Sequence, residues 1–128
     1  MGGRPQPGVD PGRGRIGAAL IEEALDDART TLLRDAPSYA DLVDQVVEER
    51  RWWLGEWPDG APHLLCLVAQ DLQEKVHETH DPLWPRCPEH CDHPLLVEPD
   101  LGPDPFWVCH RTGLPVAGVG SLPHHPGG

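Results

Sequence analysis

Cysteine and histidine crowd into one short stretch. Cys87, His90, Cys91 and His93 fall close together, and Cys109-His110 answers them further along the chain. Thiolate and imidazole are donors that Zn2+ favours, usually four of them at the corners of a tetrahedron. Cys87-x-x-His90 has the spacing that lets one tight turn present two ligands to one ion, and Pro88 pre-sets the backbone of that turn. Adding His93 and Cys109 gives the set Cys87, His90, His93 and Cys109. Two thiolates and two neutral imidazoles would make a formally neutral Zn2+ site. Cys91 and His110 compete for places, because Cys87-x3-Cys91 is also acceptable spacing. A Cys87–Cys109 or Cys91–Cys109 disulfide is a third reading, disfavoured in a reducing compartment. The plain alternative is a proline-rich loop in which cysteine and histidine fall together by chance.

Residues 83–122 must position these groups. Leu95-Leu96-Val97 and Phe106-Trp107-Val108 read as strands, separated by the turn-rich run from Glu98 to Pro105. Leu114 to Val119 is a candidate third strand. Gly113 lets Cys109-His110-Arg111-Thr112-Gly113 close as a knuckle-like turn, so a hairpin would bring Cys109 back to the Cys87 turn. A segment this short holds little core of its own and needs a staple. Structural zinc supplies about 10–16 kcal/mol in small modules.

The run Cys87-Pro88-Glu89-His90, His93-Pro94-Leu95, Trp107-Val108-Cys109, Val116-Ala117 and Gly120-Ser121-Leu122 resembles the C-terminal tail of small, largely uncharacterised bacterial proteins with a degenerate zinc-ribbon pattern. The resemblance covers about residues 84–122. It implies a ribbon-like fold and a metal, but no activity. The chain departs from a full ribbon at Thr112, where a fourth knuckle cysteine would stand, and His93 is the substitute ligand.

Upstream, the pattern is helical. Ile16 to Asp35 carries Ile21, Leu25, Ala28 and Leu32 at helical spacing, with Glu22, Glu23, Asp26 and Asp27 near its start, where the helix dipole favours anions. Asp35-Ala36-Pro37 ends it. Ser38 is placed to cap a second helix, with Asp41 in the capping-box position and Gly55 as the stop. Leu42, Val43, Val46, Val47, Trp53 and Leu54 follow its period. A third helix starts near Pro62 and runs to Asp81-Pro82, with Leu65, Val68, Ala69, Leu72 and Val76 inward. Residues 1–15 and 123–128 are rich in glycine and proline and read as a disordered tail and a loose one. The expected architecture is mainly α: a three-helix bundle over residues 16–82, followed by a zinc-ribbon-like β-hairpin over 83–122 packed on its end.

Composition narrows the function. Ten Lys and Arg against 21 Asp and Glu give a formal charge of -11. Such a field repels nucleic-acid and anionic-membrane phosphates and weakly favours a basic protein partner. No apolar run reaches the ~20 residues a membrane helix needs, and no leader-like segment is readable, so the expected location is cytoplasmic. Glu74-x-x-His77 would suit a di-iron bundle only if paired, and it has no second copy. His77-x-x-His80 is one residue short of the zincin spacing. Cys66 reads as a buried small hydrophobe. Trp52, Trp53 and Trp57 read first as closure of the bundle end, with Trp53 inward and Trp52 about 100° round the helix. Exposure of Trp52 or Trp57 beside Arg50-Arg51 would make that patch the best partner site. The expected function is a small non-enzymatic adaptor or regulatory protein with a structural zinc. The alternative is a metal-dependent hydrolase in which three ligands bind, water takes the fourth place and Glu89 is the nearest general base.

Overall fold

A computed structural model describes residues 11–89, 92–99 and 101–123. The molecule is mainly helical, with a small three-stranded antiparallel sheet at its C-terminal end. Helix α1 (Pro11–Asp35) starts five residues before Ile16, so the part of the expected 1–15 tail that is described is helical. Proline is well placed at a first helical position, where its missing N–H has no partner to lose. Residues 1–10 and 124–128, also expected as tails, lie outside the described residues. Helix α4 (Leu64–Thr79) ends where the sequence predicts. Its start falls later than Pro62, because Pro58–His63 winds as a 3-10 segment first.

The second predicted helix is divided. Pro37–Tyr39 forms a 3-10 turn, then α2 (Ala40–Glu49) and α3 (Arg51–Glu56) follow with a break at Arg50. Ser38 makes no capping hydrogen bond; Tyr39 occupies the cap position and its N–H bonds Ala36 O at 3.0 Å. The break coincides with a tertiary contact. Arg50 turns across to α4 and grips Asp71 through Nε (2.7 Å) and Nη2 (3.0 Å). That hydrogen bond pushes the Arg50 pKa upward, against the opposing effect of burial.

Helices α1, α2 and α4 pack pairwise, and the predicted stripes supply the contact: Leu25, Ala28 and Leu32; Val43, Val46 and Val47; Val68, Leu72 and Val76 are all buried. Each buried leucine or valine contributes roughly 1.5–3 kcal/mol relative to exposure. Strands β1 (Leu95–Glu98), β2 (Phe106–Cys109) and β3 (Pro115–Gly118) pair in chain order, with β2 central. Leu95 lies opposite Cys109 and Val97 opposite Trp107, so period-2 alternation turns these four residues toward the helices. They join the helical stripes in one continuous core. Among the described residues no helix is long and apolar enough to cross a membrane.

Gly60 is buried where the 3-10 segment meets α3. A Cβ there would come within 2.5 Å of the Trp57 ring and 2.6 Å of the Trp53 ring. Gly60→Ala is therefore expected to destabilise the fold by about 1–3 kcal/mol through overpacking. A urea titration read by circular dichroism measures it, and an unchanged midpoint would show that the two rings yield freely.

Candidate metal centre and the groups around it

Two turns build the site. In the first, Leu95 N–H bonds Pro85 O at 2.7 Å and Cys87 N–H reaches His93 O at 3.4 Å, so residues 85–87 run beside residues 93–95. In the second, Gly113 N–H bonds Cys109 O at 2.8 Å and Cys109 N–H bonds Leu114 O at 2.9 Å. Gly113 sits at φ +73°, a conformation that glycine adopts without the Cβ penalty. Leu114 N–H also bonds Thr112 Oγ1 at 3.2 Å.

The two turns meet at a cavity of about 320 Å3 whose walls include Cys87, Pro88, Glu89, Cys109 and Thr112. Cys87 and Cys109, far apart in sequence, thus face one space, and both residues are buried. His93 is not among the walls. Its ring packs edge-on against His110 at 5.9 Å, and its Nδ1 lies 3.4 Å from Pro94 O. His90 and its competitor Cys91 lie outside the described residues. Among the described residues, no three His, Cys, Asp or Glu side chains gather as a metal-holding group. Thiols are of the donor type that zinc takes up.

His77 and Cys66 are tied to the scaffold. His77 Nε2 lies 2.7 Å from Trp84 O, a carbonyl to which the ring donates when Nε2 carries the proton. Cys66 is fully buried, and its thiol donates to Pro99 O at 2.8 Å, tying α4 to the β1–β2 connection. Gln73, also buried, donates to Leu95 O at 2.5 Å and to Trp84 O at 3.4 Å.

Asp35 is the functional group of the scaffold that sequence reasoning passed over. It is 4% exposed, and three donors converge on it: Trp107 Nε1 (2.8 Å) and Gly120 N–H (2.5 Å) on Oδ2, and Leu122 N–H (2.9 Å) on Oδ1. It clamps the central strand and the chain after β3 onto the end of α1. A signal was present, since Asp35 extends the Leu25, Ala28, Leu32 stripe at core spacing. A charge in that register needs a partner.

The tryptophans separate. Trp53 is partly buried against the core and meets Trp57 edge-on at 5.3 Å; Trp57, 42% exposed, stacks on His63. Trp52 is 74% exposed.

Residues 19–119, from α1 through β3, match a protein family described as Domain of unknown function (DUF8819). No curated protein and no solved structure matches the chain.

Proposed function

The chain belongs to that family of domains of unknown function, and from that premise we propose that it is a small non-enzymatic adaptor or regulatory protein, its helices arranged as a bundle and its C-terminal sheet held as a zinc-ribbon-like module by a structural Zn2+. The observation that carries this reading is the shared cavity of Cys87 and Cys109. Two thiols brought together from separate turns, one of them a glycine-closed knuckle, fit a metal staple better than two unrelated core residues. His90 and His93 complete the proposed set, with Cys91 and His110 as the competing donors. The proposed setting is cytoplasmic, with a protein partner and neither nucleic acid nor membrane, in keeping with the charge of -11.

Elemental analysis of the full chain purified in reducing buffer tests the metal. One equivalent of zinc is expected in the wild type and after Cys91→Ser, and none after Cys87→Ser or Cys109→Ser. Loss of zinc in Cys91→Ser would replace a histidine by Cys91 in the set. A metal-free wild type would sink the staple.

One observation favours a second reading. Glu89 lines the same cavity as the two cysteines, so an open three-ligand site would have a carboxylate at hand for general-base work. Assay of the zinc-loaded chain against activated esters and phosphoesters separates the two. The adaptor reading expects no turnover above free Zn2+; turnover abolished by Glu89→Gln would establish the hydrolase.

A further inference from the structure

A groove of about 420 Å3 lies between the α2–α3 break and α4, with Trp52 on one bank and Asp71, Glu74, Lys75 and Glu78 on the other. Its cations are already engaged. Arg50 is held by Asp71, and its guanidinium carbon lies 5.7 Å from the centre of the Trp53 ring. Lys75 Nζ lies 3.7 Å from Glu49. Glu74 and Glu78 remain, one helical turn apart on the same exposed face of α4. Neither enters an ion pair among the described residues. Trp52 is the most exposed of the large hydrophobic residues described and makes no ring contact there. The groove therefore offers an indole face in water next to two uncompensated carboxylates.

We propose that this groove binds a lysine- or arginine-bearing segment of a partner protein. The cationic side chain lies over the Trp52 indole while its charge is met by Glu74 and Glu78. Indole is the strongest aromatic partner for a cation, and the Arg50–Trp53 contact beside it shows the same chemistry within the chain. Charge selects this occupant over the others. A second copy of the chain brings another -11, and nucleic acid brings phosphates, so both are repelled. The inference rests on the adaptor reading and names the chemistry of its partner.

The probe is a ten-residue peptide of alternating lysine and glycine, titrated into the full chain by calorimetry at low and at physiological salt. Binding that weakens with salt is expected. Trp52→Ala and the double variant Glu74→Gln/Glu78→Gln should each weaken it by about tenfold or more, the scale of a truncated hot spot. Trp52→Phe should retain part of the affinity, since phenylalanine keeps a π face. All these side chains are exposed, and circular dichroism checks that the variants fold. The control Glu23→Gln/Asp27→Asn removes two charges from α1 and should change the dissociation constant less than twofold. Equal weakening by the control would reduce the binding to diffuse electrostatics, and an unaffected Trp52→Ala would remove the groove as the site. Self-association seen in sedimentation and lost in Trp52→Ala would make a second copy the occupant. A zinc-loaded chain indifferent to the peptide overturns this proposal alone. A metal-free chain that binds it overturns only the zinc staple.

Discussion

Replacing Asp35 by alanine is expected to destabilise the protein by about 3 kcal/mol, because three N–H donors lose their acceptor at once. The Trp107 indole N–H lies in the core, so water cannot reach it as a substitute. The N–H groups of Gly120 and Leu122 are part-buried and recover some solvation. A partial offset comes from the helix. Asp35 ends α1, where the dipole disfavours an anion, so its removal relieves up to about 1 kcal/mol. The donor loss is the larger effect. Asparagine is no remedy: both carboxylate oxygens accept, so one donor must face an amide NH2 whichever way the group is turned. Urea denaturation of wild type, Asp35→Ala and Asp35→Asn measures this. An unmoved midpoint in the alanine variant would mean that water enters the clamp without cost.

Trp107→Ala should cost more, about 3–5 kcal/mol. The residue is fully buried at the centre of the sheet. Its ring meets Trp84 edge-on at 5.6 Å, and Trp84 in turn meets Tyr39 at 5.7 Å, so truncation opens a cavity where helices and sheet share one core. Trp107→Phe keeps most of the ring and removes the N–H bond to Asp35; about 1–2 kcal/mol is expected from that loss. Far-UV circular dichroism is the readout, since it follows the helices while the mutation lies in the sheet. The helical transition should move in both variants. A helical transition that stays in place while the sheet melts on its own would show two independent units.

Much of the scaffold was legible because burial imposes a period. The stripes through Leu25 and Leu32, Val43 and Val47, and Val68 and Val76 announced three helical stretches, and all of these residues are buried. The strands around Leu95, Trp107 and Val116 were marked by apolar runs between proline- and glycine-rich turns. Boundaries were less legible. Nothing in the run from Ala40 to Glu56 signals a break, since the apolar period continues through it. At the break, Arg50 pairs with Asp71, a residue distant in sequence.

The candidate site divides the same way. The spacing of Cys87, His90, His93 and Cys109 and the glycine at position 113 determined which side chains have metal-ligand chemistry and which turns could present them. Only the tertiary structure decided that Cys87 and Cys109 line one cavity, that Glu89 lines it with them, and that the His93 ring packs edge-on against His110. Local sequence sets donor type and turn geometry, which act over a few residues. Convergence of distant donors depends on strand register, on the Asp35–Trp107 clamp and on the packing of one core, and these arise from contacts that no local pattern records.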